Sequence, residues 1–237
     1  MNTTSQTDTA ALDEQDCPEG NYPPDSPCFG MGAGRPRAAD KAARRAALLQ
    51  TAGRLFLEKG YSKVSLEMIA REAHVAVRTI YVKFGGKAGL LNAVIEDGRA
   101  HFFGGMENME TDPRAMEDIL NDFAVRFLEL ISLPTFASLH RMVVAEAKST
   151  PELAETFFEA GPQRTRKELG RFFARPDVRA QLRADVRPEL LPVFLLNCIM
   201  GDQMTRLLFP SERQPTTDEL RARAAEGLDL FLRGVRR

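Results

Sequence analysis

Residues 64–91 read VSLEMIAREAHVAVRTIYVKFGGKAGLL, from Val64 to Leu91, and this stretch decides the fold. Leu66, Ile69, Ala70 and Ala73 recur at helical spacing and give a first short helix one apolar face, with Glu67, Arg71 and Glu72 on the other. Ser65 stands just before it, where a hydroxyl accepts a hydrogen bond from an unpaired amide of the first turn. After a tight turn at His74 and Val75, Ile80 and Phe84 are four apart and dock inward, which leaves Arg78, Thr79, Tyr81, Val82 and Lys83 outside. A short helix exposing two cations, a hydroxyl and a phenol suits a nucleic-acid groove better than a protein core. The expectation is a helix-turn-helix over 65–84 whose second helix enters the DNA major groove.

Upstream, Asp40 is expected to cap a helix from Lys41 to Lys59, closed by Gly60, with Leu48, Leu49, Ala52, Leu55 and Phe56 as its buried stripe. Residues 41–86 then make a compact three-helix DNA-binding domain. Before it, in the segment 34–40, Arg35 and Arg37 flank Pro36. Such a basic arm can lie along the minor groove, although a solvated linker has the same composition. Residues 1–33 carry six acids and no Lys or Arg, with Pro18, Pro23, Pro24 and Pro27 denying a regular helix, and read as a disordered acidic leader. By contrast, residues 34–89 hold twelve bases against four acids. Positive charge is thus concentrated around the motif, where it attracts phosphates and releases counterions, although the whole chain has a net charge of only −1.

Downstream, Lys87 begins a fourth helix through Leu90, Leu91, Val94 and Ile95 toward Phe102 and Phe103. From there the periodicity is helical throughout, with no alternating run of the kind a strand requires, so the fold class is all-α, with residues 87–237 a larger helical domain. Gly161-Pro162 is expected to kink or interrupt a helix. The segment Pro188 to Phe209 is apolar nearly all round, and Thr217 to Val235 reads as a last amphipathic helix. Helices apolar on two sides need a second covering surface, which a subunit interface supplies.

Other classes are poorly supported. Cys17, Cys28 and Cys198 have no paired short spacing, so neither a disulfide framework nor a metal site is expected, nor any cofactor, and a reducing cytosol is the natural compartment. The first residues lack the basic start and the apolar run of a signal peptide, so none is expected, and the apolar run Leu190 to Gly201 is interrupted by Asn197 and too short for a bilayer. The expected protein is cytoplasmic and has no membrane partner. His74, His101 and His140 are scattered, and Glu146 and Glu155 near His140 make only the kind of acid–base grouping that arises by chance, so no catalytic residues are assigned.

Phe56-Leu57-Glu58-Lys59-Gly60-Tyr61, followed by Ile69-Ala70, Val75, Thr79-Ile80-Tyr81, Phe84, Lys87 and Leu90-Leu91, resembles in order and spacing the TetR family of bacterial transcriptional regulators. The resemblance is specific over roughly residues 41–98. His74 stands where the family usually has Gly, and Ala76 where it often has a capping Ser or Thr. The stretch Leu139 to Leu169 looks like the regulatory domain of the AefR-like branch, made up mostly of repressors. The resemblance implies phosphate contacts by Thr79, Tyr81, Lys87 and the helix start at Ser65. It also puts base readout at the variable positions Val77 and Arg78, and Arg to guanine is the commonest such pairing. With Arg35, Arg37 and Lys83, these form the expected DNA-binding set.

The family mechanism it implies is a homodimer on a pseudo-palindromic double-stranded operator, its reading helices about one helical turn apart, on the order of 34–36 Å. An unidentified small-molecule effector would enter the larger domain and release the repressor, through a differential affinity typically of about 1–3 kcal/mol. Candidates for that pocket are Phe103, Phe123, Phe127, His140, Met142, Glu146 and Phe158, with Asn197, Met200 and Gln203 as polar or soft contributors. Core packing is the competing reading for the aromatics. Asn197 and Gln203 fit equally a pairing with each other or with a partner subunit. The rival function is a dimeric architectural DNA-binding protein without ligand control, which leaves the large aromatic-rich domain only dimerisation to perform.

Overall fold

The computed structural model describes residues 38–104, 109–209 and 213–237, which form helices and connecting turns. Among the described residues there is no strand, and the one isolated extended pairing is a bridge between Leu182 and Arg236. The leader expected over 1–33 and the arm residues Arg35 and Arg37 lie outside them. Residues Ala47–Arg237 form one compact unit, and the segment before them, which includes the first turns of α1, is a unit of its own.

Helix α1 spans Ala38–Lys59 and so begins three residues ahead of the expected Lys41. Asp40 lies inside its first turn rather than at its cap, where its charge complements the exposed amides of the helix start. The alanines around it are good helix formers and carry the helix back past the aspartate. Next come α2 (Leu66–Glu72), α3 (Val77–Phe84) and α4 (Lys87–Phe103), then α5 (Met116–Ser132), α6 (Pro134–Glu146) and α7 (Pro151–Phe158). Gly161-Pro162 does not interrupt the helical run. A single π-type turn, Glu159–Gln163, widens the helix there and leads directly into α8 (Arg164–Phe173). A wider turn accommodates a proline ring that has no N–H to give.

A short α9 (Pro176–Arg179) and a 3₁₀ turn at Pro188–Leu190 lead to α10 (Leu191–Met200). The long apolar segment is not one helix. Gly201 adopts a positive φ of 53° and separates α10 from α11 (Gln203–Arg206). The last helix, α12, covers Thr217–Val235 as its periodicity predicts. It opens with a reciprocal cap in which Thr216 accepts from the Glu219 amide and Glu219 accepts from the Thr216 amide.

Two cores organise these helices. The first gathers Leu55, Phe56, Ile69, Ile80, Leu90 and Leu91 of the front four helices and continues into Val143, Leu153 and Phe157 of α6 and α7. The second lies among α5, α8, α10 and α12, around Leu120, Phe123, Leu169, Phe172, Leu195 and Phe231. The first core thus runs through both the front helices and the following domain.

Candidate nucleic-acid interface

The helix-turn-helix is assembled from short local signals. Ser65 is extended, with φ −101° and ψ 159°, and its hydroxyl accepts from the Met68 amide at 3.2 Å, which caps α2 as expected. The turn closes through the Val75 amide to the Ala70 carbonyl at 2.9 Å. His74 lies in it at φ 51°, the left-handed region, where a Cβ is disfavoured and glycine is the natural occupant. Ala76 is the N-cap of α3 and makes no side-chain cap bond. Gly85 ends α3 in the left-handed conformation, its amide bonded to the Tyr81 carbonyl at 2.8 Å.

Within α3, Ile80 is fully buried and anchors the helix, and Phe84 and Val77 pack against the same core. Arg78, Lys83 and Tyr81 stand on the exposed side, Tyr81 with 53% of its surface open, and Thr79 is half-buried beside them. The helix therefore presents two cations, a phenol and a hydroxyl on its outer surface. Val77, placed among base readers by resemblance, divides its surface between solvent and the core.

Lys87, the first residue of α4, is half-buried, with its ammonium 4.2 Å from the centroid of the Tyr61 ring. Tyr61 is buried against Phe56 at 5.3 Å. Burial, with the charge of Glu152 nearby, pushes the Tyr61 hydroxyl up to about 12. Burial also lowers the Lys87 ammonium from its ordinary value, and Glu146 and Glu152 oppose that shift.

The ten pocket candidates do not come together. Phe103, Phe123 and Phe127 stack in series, with ring centroids 5.8 Å and 5.6 Å apart, within the second core. His140 lies between Phe136 at 6.3 Å and Phe157 at 6.1 Å; its buried Nδ1 has no hydrogen-bond partner among the described residues, and Met142 packs against the first core. Phe158 is 44% exposed beneath the Arg166 guanidinium, 5.6 Å from the ring centroid. Asn197 is exposed, and Met200 packs on the second core. Gln203 is buried and accepts from Arg223 at 2.9 Å rather than pairing with Asn197. Glu146 points to the front of the molecule, where it bonds the backbone at Tyr61 and Ser62. Sequence spacing could not reveal that contact, since its partners lie 84 and 85 residues away. Among the described residues no group of His, Cys, Asp or Glu could hold a metal ion, and no single helix is long and apolar enough to cross a membrane.

Comparison with known proteins follows the same division of the chain. No curated protein matches it. Among solved structures, a protein assigned as a TetR-family transcriptional regulator of Mesorhizobium loti MAFF303099 is 23% identical with a TM-score of 0.67, over 86% of this chain and 100% of that one. NalD of Pseudomonas aeruginosa, the secondary repressor of the MexAB-OprM multidrug efflux pump, is 25% identical with a TM-score of 0.55, over 84% and 98% of the two chains. SmeT, solved in complex with triclosan, is 24% identical with a TM-score of 0.61, over 82% and 92%. Residues 48–94 match the model of bacterial regulatory proteins of the tetR family, and residues 118–234 match that of the AefR-like transcriptional repressor C-terminal domain. With a capped helix-turn-helix in front and an all-helical domain behind, the chain belongs to the TetR family of transcriptional regulators, DNA-binding proteins rather than enzymes.

Proposed function

We propose that the protein is a cytoplasmic, ligand-responsive repressor that binds a pseudo-palindromic operator as a homodimer and is released by a small molecule. The observation that carries this reading is the surface of α3, where Arg78, Tyr81 and Lys83 are exposed and Thr79 half-buried around the buried anchor Ile80. In this reading Val77 and Arg78 meet base edges. Ser65, Thr79, Tyr81, Lys83 and Lys87 hold phosphates, and Arg35 and Arg37 follow the adjacent minor groove. Residues 41–86 act as the reading domain and 87–237 as the regulatory and dimerisation domain. Phe194 on α10 and Leu230 on α12 are 43% and 65% exposed on helices that pack together, and a second copy would cover them. Ligand control is supported by the first core, which joins α1–α4 to α6 and α7, and by the triclosan bound to SmeT. Repression is supported by the role of NalD. Architectural binding without an effector leaves the large aromatic-rich domain only dimerisation to perform.

The test is selection of bound sequences from random duplex DNA, followed by measurement of affinity and stoichiometry on the recovered site. Two inverted half-sites bound by one dimer are expected. Binding without sequence preference, or to single half-sites by monomers, would overturn the proposal. Screening small molecules for loss of affinity on that site then tests release.

A further inference from the structure

Glu146 is the last residue of α6, and its carboxylate closes onto the turn that joins α1 to α2. Oε1 accepts from the Tyr61 amide at 3.0 Å, and Oε2 accepts from the Ser62 amide at 2.8 Å and from the Ser62 hydroxyl. The Thr150 hydroxyl, just beyond α6, lies 3.4 Å from the Ser62 hydroxyl. The turn is shaped to receive this group. Gly60 has φ +86°, and a Cβ there would stand 2.7 Å from Oε1, so both the backbone conformation and the approach of the carboxylate call for glycine.

The final position of a helix is an unfavourable place for a carboxylate, because it faces the negative end of the helix dipole. What Glu146 gains there comes from the turn. Burial works to raise its carboxyl, but the bonds from Ser62 and Tyr61, with Lys87 close by, outweigh it and hold the group below the usual carboxylate range. The contact is directional as well as strong. Two amides of adjacent residues meet two oxygens of one rigid carboxylate, so the turn cannot pivot about α6 without breaking a charge-assisted bond. The apolar contact beside it, through Val143, Leu153 and Phe157, has no such directionality and resists separation more than rotation.

We infer that Glu146 is a positioning residue, a latch that sets the angle at which the regulatory domain holds the reading helices and hence the half-site spacing the dimer accepts. The inference rests on the proposed reading of the protein as a dimeric operator binder. It assigns Glu146 to the transmission of movement between the domains rather than to effector contact. A displacement of α6 would be delivered to Tyr61 and Ser62, and from the Tyr61 ring to Lys87 at the start of α4.

The experiment uses the full-length protein and the DNA site that the wild type selects from random duplexes, together with copies of that site whose half-sites are moved closer or farther apart by single base pairs. Misplacing a half-site should cost the wild type roughly tenfold or more in affinity. Glu146→Gln, which offers an amide where the turn requires acceptors, should lose most of that discrimination. Glu146→Asp should lose it too, although its charge is kept, because the carboxylate is drawn back by one methylene. Ser62→Ala removes the hydroxyl's contacts with Glu146 and Thr150 but leaves both amide bonds, and should lose part of it, which keeps the test open if Glu146→Gln does not fold. Faster hydrogen exchange at the Tyr61 and Ser62 amides reports release of the turn. Wild-type spacing discrimination in Glu146→Asp and Ser62→Ala, with those amides exchanging faster in Glu146→Asp, would overturn the latch while leaving the proposed function intact. A wild type that recognises no two-half-site DNA would overturn the proposed function, and the latch with it.

Discussion

The Lys87 ammonium lies over the Tyr61 ring, 4.2 Å from its centroid, at the junction of the reading domain and α4. Cation–π attraction holds the charge in a half-buried site, and burial lowers its pKa. Such a cation is fixed in place before DNA arrives, which reduces the ordering cost of a phosphate contact. On the proposed reading, Lys87→Ala weakens binding similarly on all sequences and reduces the slope of log affinity against log salt by about 1. Arg78→Ala instead relaxes preference at one operator position, at a cost of about 1–3 kcal/mol on the cognate base. Equal effects of both variants on cognate and scrambled duplexes would contradict these roles.

His74 marks a local conflict between sequence and turn. Its φ of 51° places a residue with a Cβ in the left-handed region, and its side chain is exposed. His74→Gly removes the steric cost, about 1–2 kcal/mol, and adds about 0.5–1 kcal/mol of backbone entropy cost, for a net gain of up to about 1.5 kcal/mol. For a chain of this size that is a rise in melting temperature of up to about 6 °C at fixed protein concentration. His74→Ala, which keeps the Cβ, should show no such rise. A fall on His74→Gly would mean that the imidazole makes a stabilising contact.

Much of the front of the molecule was legible because its determinants are local. The Leu66, Ile69 and Ile80 spacing, the Ser65 cap and the family resemblance all lie within a few turns of chain, and so does the misfit at His74. The regulatory half was legible as helix but not as arrangement. Gly201 separates α10 from α11 inside a run whose apolar composition alone suggested continuity. Glu146 looked like a polar member of a pocket because periodicity places a side chain on a face without saying which distant turn that face meets. Gln203 likewise meets Arg223 of α12, a pairing that depends on how two helices cross.

His140 makes stability depend on pH in a defined window. Burial lowers its pKa below the ordinary 6.5, and its buried Nδ1, between Phe136 and Phe157, has no hydrogen-bond partner among the described residues. The unfolded chain therefore takes up a proton near that value while the folded chain resists it. The contribution of His140 to stability is complete above about pH 6.5, declines as pH falls below it, and levels off below the folded-state pKa. Denaturant unfolding from about pH 7.5 down to about pH 5.5 should show a decline that His140→Phe reduces. Glu146 and Glu219 are held below the usual carboxylate range, so their contributions are lost only at more acid pH. Identical pH profiles for wild type and variant in this window would contradict the assignment.

The crossing of α10 and α12 should be the least tolerant of added volume. A Cβ on Gly227 would stand 2.5 Å from the Cys198 carbonyl oxygen and 2.7 Å from the Ile199 Cα, both backbone atoms of α10 that cannot turn aside as a side chain can. Gly227→Ala gains about 1 kcal/mol in helix propensity but forces the helices apart, an overpacking cost of about 1–3 kcal/mol, so the net effect should be destabilising. Gly234 lies on the same helix, and a Cβ there meets nothing within 4 Å among the described residues. Gly234→Ala should therefore show the propensity gain alone, as a higher melting temperature. On the proposed reading that a second copy covers Phe194 and Leu230, which the same two helices carry, Gly227→Ala should also shift sedimentation toward monomer at low concentration, while Gly234→Ala leaves it unchanged. If both alanines stabilise the protein alike, α10 and α12 pack less closely than these distances require.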